Sequence, residues 1–202
     1  MMILFQFKSV EIIVRPFLAE LDYTTLNNLG KDISREFENI KVTVATGNNS
    51  NLVQLKKDTV FESSFDRHRN QWYSPKLLDW FFEKFTPNKD TKILFILDVD
   101  AYSNGLNFVL GEAFHKGGLG AIYLPRIKQE FYGLKPDMEL FYKRMVKESV
   151  HELGHVFGFL HCQNPRCVMY FSNTLGDTDN KERIFCQICK TRNFGSFKQQ
   201  EN

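Results

Sequence analysis

The stretch HELGHVFGFLHC, residues 151–162, carries three of the chain's five histidines, a glutamate and one of its four cysteines. His151 and His155 are four apart. On a helix such side chains sit one turn apart on the same face, so two neutral imidazoles converge on two corners of a zinc tetrahedron. Glu152 lies about 100° further round the helix. It is poorly placed to complete the ligand set but within reach of a water beside the metal. The pattern therefore supplies two ligands and one general base. Gly158 comes three residues later. A glycine takes the left-handed conformation at no steric cost, so it ends the helix and turns the chain, and His161 can return as a third ligand. Three protein ligands leave one zinc position open, which marks a catalytic rather than a structural site.

Cys162, Cys167, Cys186 and Cys189 are all the cysteines there are. Two close pairs separated by a loop describe a closed, four-thiolate zinc site. A redox pair at Cys186 and Cys189, buried thiols and an iron–sulfur cluster are the alternatives; a redox pair leaves Cys162 and Cys167 without a role. Neighbouring side chains of an extended chain point to opposite sides. His161 can thus face one metal while Cys162 faces another, and the second zinc is expected to brace the backbone that aims the third histidine. The expected cofactor is Zn2+, two per chain, one catalytic and one structural.

HELGHVFGFLH, followed by CQNPRCVM and CQIC, resembles the archaemetzincins, a branch of the metzincin zinc peptidases with a second zinc site of four cysteines. The resemblance is tight over residues 151–189. It implies catalytic zinc on His151, His155 and His161, Glu152 as general base, and structural zinc on Cys162, Cys167, Cys186 and Cys189. It makes Met169 the Met-turn residue beneath the histidines, although Met169 alone reads as an ordinary core methionine. The implied fold is α+β (α/β-like): a zincin domain with a twisted mixed sheet, an antiparallel edge strand, a long active-site helix and a small C-terminal cysteine-zinc subdomain. GAIYLPR is the expected edge strand, where substrate backbone can pair. The implied activity is zinc-dependent hydrolysis of peptide bonds in a peptide or protein substrate. A zinc-containing binding protein without turnover is the alternative; an intact Glu152 speaks against it. The residues that bind substrate, the choice between endo- and aminopeptidase action and the oligomeric state stay open.

The elements that must position these residues read as follows. MILFQF is expected to be a strand, residues 15–38 a helix, IKVTV a strand and GNNSN a turn. SPKLLDWFFEKF is expected to be a helix capped by Ser74, with Pro75 at its first helical position. ILFILDVD reads as a central strand buried on both faces. LNFVLGEAFH and GLGAIYLPR read as a hairpin, with Pro125 placing the second near a sheet edge. The longest helical pattern, residues 135–162, is capped by Asp137, with Phe141, Met145, Ser149, Leu153, Phe157 and Leu160 on one face. Glu148 reads as a solvated helix charge and His68 as part of a surface loop. His115 reads as a hairpin residue without function, and Asp98 and Asp100 as the start of a turn. The domain reading is a catalytic part, 1–161, and a C-terminal part, 162–202.

The 202 residues suit one domain with a small appended module, and the composition is ordinary for a globular protein: 43% hydrophobic, 25% charged. A net charge of +2 is too mild for a nucleic-acid or membrane-surface binder. No run of 18 apolar residues offers a membrane span, and the first residues lack a secretory leader. The expected location is the cytoplasm, where thiols stay reduced and clustered cysteines hold metal rather than disulfides.

Overall fold

The computed structural model describes residues 10–37, 40–45, 58–114 and 116–192; the strand expected over MILFQF, the GNNSN turn and His115 lie outside them. In chain order the elements are β1 (Glu11–Phe17), α1 (Tyr23–Glu36), β2 (Lys41–Val44), α2 (Thr59–Glu62), β3 (Phe65–Asp66), β4 (Gln71–Tyr73) and α3 (Ser74–Phe85). They continue with β5 (Thr91–Leu97), β6 (Ala101–Ser103), β7 (Leu106–Val109), β8 (Gly111–Ala113), β9 (Leu119–Tyr123), α4 (Met138–Val156) and α5 (Leu175–Asn180).

A five-stranded mixed sheet has the order β2-β1-β5-β9-β8. β1, β2, β5 and β9 are parallel, and β8 runs antiparallel to β9 at the edge. The apolar run of β5 sits at the centre because both its faces are covered. Leu94 and Ile96 pack with Ile12, Val14 and Ile122 against Leu29 and Ile33 of α1 and Met145, Val150 and Leu153 of α4. On the opposite face Ile93, Phe95 and Leu97 pack with Phe17 and Tyr123 against Leu77, Trp80 and Phe81 of α3. The Phe81 and Phe95 rings stack with centroids 3.9 Å apart. A second, four-stranded sheet, β3-β4-β6-β7, leads directly into the edge strand.

Several local expectations are corrected. Residues 11–17, partly assigned to the first helix, are a strand whose Ile12, Val14 and Phe17 are buried. The helix begins only at Tyr23, where the Asp22 side chain accepts the Thr25 backbone N–H at 2.9 Å. Ser74 does not cap α3. It is the first helical residue, and its buried hydroxyl shares a 2.6 Å hydrogen bond with the Tyr123 hydroxyl. GAIYLPR is not the edge strand: β9 lies inside the sheet, and β8 is the edge. Pro125 falls beyond the end of β9, in a 3-10 turn, so its missing N–H does not touch the ladder. LNFVLGEAFH is two strands in two sheets rather than one. The long helix stops at Val156, which leaves Leu160 82% exposed instead of on the buried face.

Candidate functional site

α4 starts at Asp137, whose carboxylate accepts the Leu140 N–H, and carries Phe141, Met145, Ser149 and Leu153 into the core. It ends in a Schellman turn: Gly158 N–H donates to His155 O and Phe159 N–H to Gly154 O, both at 2.9 Å, with Gly158 at φ +88°. This turn brings His161 back over the helix. His155 Nε2 stands 3.2 Å from His151 Nε2 and 3.1 Å from His161 Nε2. His151 Nδ1 lies 2.7 Å from Val168 O, and His155 Nδ1 2.7 Å from Phe159 O. A carbonyl only accepts, so both Nδ1 atoms carry the proton and both Nε2 atoms present lone pairs. Burial, the leading cause at all three rings, lowers their proton affinity, that of His155 to a pKa of about 4.

Neutral imidazoles whose lone pairs face one another repel unless a cation lies between them. Zinc–nitrogen bonds of about 2.0–2.1 Å in a tetrahedron place ligand atoms about 3.3 Å apart. The observed separations fit that ion, and the three histidines form a group able to hold a metal.

The four cysteines form a second such group. Cys162 Sγ and Cys186 Sγ are 3.7 Å apart, and Cys167 Sγ and Cys189 Sγ 3.8 Å. Zinc–sulfur bonds of about 2.3 Å give about 3.8 Å between tetrahedral corners, so this set also fits. Backbone N–H groups already point at sulfur: Asn164 N–H at Cys162 Sγ and Cys186 N–H at Cys167 Sγ. Burial raises the Cys186 thiol, but hydrogen bonds from the Cys189 backbone and from the neighbouring sulfurs outweigh it and hold its pKa at about 7. The two groups share backbone. Cys162 N–H donates to Met169 O at 2.9 Å, and Val168, whose carbonyl holds His151, precedes Met169. Met169 is fully buried against Gly154, where an added methyl would strike its sulfur.

Glu152 is 4% exposed and faces the edge strand. A Cβ on Gly111 would sit 2.5 Å from Glu152 Oε1, so only glycine lets β8 lie this close. Burial, then the Glu148 charge, pushes the Glu152 carboxyl well above the usual carboxylate range, and Lys181 pulls the other way. A cleft of about 810 Å³ opens here, lined by the three histidines, Glu148, Glu152, β7, β8, Phe171 and Ser172.

Glu148 is not the solvated charge its local sequence suggests. It is 3% exposed; its Oε1 meets the fully buried Lys181 ammonium at 3.0 Å and accepts the Thr178 hydroxyl at 3.0 Å. Nothing in the polar run TDNKER marks Lys181 as buried. The same segment is clasped to α4 by Arg144, which donates twice to Asp179 at 2.6 Å. Breaking a buried pair strands one charge. Lys181→Met is therefore expected to cost about 3 kcal/mol in urea unfolding, with much of it recovered when Glu148→Gln is added. Equal losses in the single and double variants would show that the pair is not the source. His68 lies in an exposed turn. Asp98 and Asp100 are held by Lys128 and Arg126, away from the histidines' hydrogen bonds.

Comparison with known proteins places this geometry. The family model described as Peptidase family M54 matches residues 27–193. An archaemetzincin of Saccharolobus islandicus is 39% identical over 163 residues, which cover 76% of this chain and 87% of that protein. The crystal structure of an archaemetzincin from Methanopyrus kandleri superposes with a TM-score of 0.74 at 27% identity, over 96% of this chain and 98% of the other. A zinc-dependent peptidase from Methanocorpusculum labreanum gives the same TM-score and identity, over 90% and 98%.

Proposed function

Since the chain belongs to peptidase family M54, we propose that it hydrolyses peptide bonds with Glu152 as general base beside a zinc ion held by His151, His155 and His161. A second zinc on Cys162, Cys167, Cys186 and Cys189 braces the site, with Met169 as the apolar floor and the chain divided at His161 and Cys162 into a catalytic and a C-terminal part. The observation that carries this reading is the set of three imidazole nitrogens, with His155 Nε2 3.2 Å from that of His151 and 3.1 Å from that of His161, beside the buried carboxylate of Glu152 on α4.

Zinc, when bound, supplies Lewis acidity that eases ionisation of a water and polarises a carbonyl. Glu152 does the proton work: it accepts the proton of the attacking water and returns it to the departing amine. The free edge of β8 offers backbone N–H and C=O groups to an extended substrate directly beside Glu152, and Gly111 sets how closely the two approach. Three phenylalanines line the cleft: Phe108, the buried Phe114, and Phe171, whose ring lies 4.9 Å from His161.

The decisive experiment pairs metal analysis of the purified chain with a peptide-library digest before and after chelation. Two zinc ions per chain, and cleavage that stops on chelation and returns with zinc, are expected. Cleavage that persists in metal-free protein would overturn the reading. Gly111→Ala is expected to keep its zinc but lower kcat by up to about 10²-fold, because the new methyl displaces the base. A wild-type kcat in that variant would remove Gly111 from the mechanism.

A further inference from the structure

We propose that the cleft selects substrates with a bulky apolar side chain next to the bond that is cut, with Phe108 as the specificity-determining residue and Arg126 as the positioning residue that holds it. This inference names a substrate class for the peptidase reading above and rests on it.

Most charge in the cleft is engaged before a substrate arrives; the exception among the described residues is Glu112, whose Oε1 accepts the Ser103 hydroxyl at 2.8 Å and whose buried Oε2 has no hydrogen-bond partner. Glu148 is buried and neutralised by Lys181, and Glu152 is buried against β8. Lys116, exposed at the rim, pairs with Asp79 at 3.5 Å. Apolar surface, by contrast, remains reachable. Leu106 is 40% exposed, Phe171 37%, and Phe108 half-buried, and all three line the cleft. Phe171 flanks His161, and β7 runs straight into Gly111 beside Glu152, so these surfaces bracket the reacting position. Apolar side chains left open in a cleft with a few fixed polar groups are what a ligand's apolar part covers.

Phe108 is also unusually well held. It packs against the core on the α4 side of the sheet. The Arg126 guanidinium lies 4.6 Å from the Phe108 ring centroid and 4.7 Å from that of Phe131, so it is stacked between two rings. Asp100 accepts two hydrogen bonds from the same guanidinium, at 2.6 and 2.9 Å. Arg126 therefore adds no free positive charge to the wall; its role is to fix a ring. A side chain immobilised before binding loses little entropy when a substrate packs on it, which is how a wall becomes a selector.

The test uses peptides that differ at one position, leucine or phenylalanine against asparagine or aspartate, with the zinc-loaded full chain. Wild type is expected to favour the apolar peptide by about 10–200-fold in kcat/KM. Phe108→Ala is expected to shrink that ratio about tenfold. Arg126→Met is expected to shrink it as well at unchanged zinc content, whereas a purely structural role for Arg126 would lower all peptides equally. A preference for charged residues, or a ratio unmoved by Phe108→Ala, overturns the inference while leaving the peptidase reading intact. If wild type cuts no peptide, the peptidase reading fails, and the inference is then decided by affinity: zinc-loaded Glu152→Gln must bind the leucine peptide more tightly than the asparagine peptide, and equal binding overturns it.

Discussion

Glu152→Gln is expected to lower kcat by on the order of 10²–10⁴-fold and to leave both zinc sites filled. Glutamine keeps the shape and volume of the side chain, so the packing against Gly111 is retained. What disappears is the ability to take a proton. The three histidine nitrogens form the metal group without any contribution from Glu152, so metal content depends on the rings and not on the carboxylate. The experiment compares kcat with zinc per chain in the same preparation. Loss of metal together with turnover would reassign Glu152 from base to ligand or to structural support.

The second large effect is at the cysteine site. Cys189→Ser is expected to reduce zinc from two ions to one per chain, because a serine hydroxyl does not ionise into a soft ligand as a thiol does. Structural zinc in small modules contributes about 10–16 kcal/mol of apparent binding free energy, as much as the 5–15 kcal/mol that holds a whole domain folded. The damage should spread. Cys162 follows His161 directly, its N–H is bonded to Met169 O, and the Val168 carbonyl holds His151. Releasing this loop frees both the third histidine and the partner of the first. Zinc affinity at the histidine site is accordingly expected to fall by about 10–100-fold, the usual cost of losing groups that orient a ligand. Competition with a coloured chelator measures it. Unchanged affinity there would reduce the cysteine site to a stability device and end the bracing hypothesis.

The histidine constellation was readable from sequence because all of it lies on one helix and one turn. Helical periodicity fixes His151, Glu152 and His155 relative to one another, and Gly158 announces the bend before His161. The central strand Thr91–Leu97 was readable for a similar local reason, a continuous apolar run. The edge strand was not. GEA and GAIYL both carry small residues, and which of them is outermost depends on pairing with β5, a contact that no local pattern encodes. Glu148 reads as a surface charge because the partners that bury it, Thr178 and Lys181, lie 30 or more residues away in the chain. Residues 15–17, the end of β1, read as helix because of the strong pattern that follows them. The strand's true signal, buried Ile12 and Val14 with an Asp22 cap beyond, needed the helix start to be placed correctly.

The hydrogen bond between His151 and the carbonyl of Val168 has a consequence for how the molecule is made. A ribosome releases the catalytic helix well before it releases residue 168, and Cys189 emerges later still. Until then the first imidazole has no carbonyl to fix its tautomer, and the turn carrying His161 has no anchor behind it. A nascent chain halted just after the helix therefore carries every residue of the histidine motif's first half yet lacks the rigidity to use them, and competence arrives only once Val168 and Cys189 have followed.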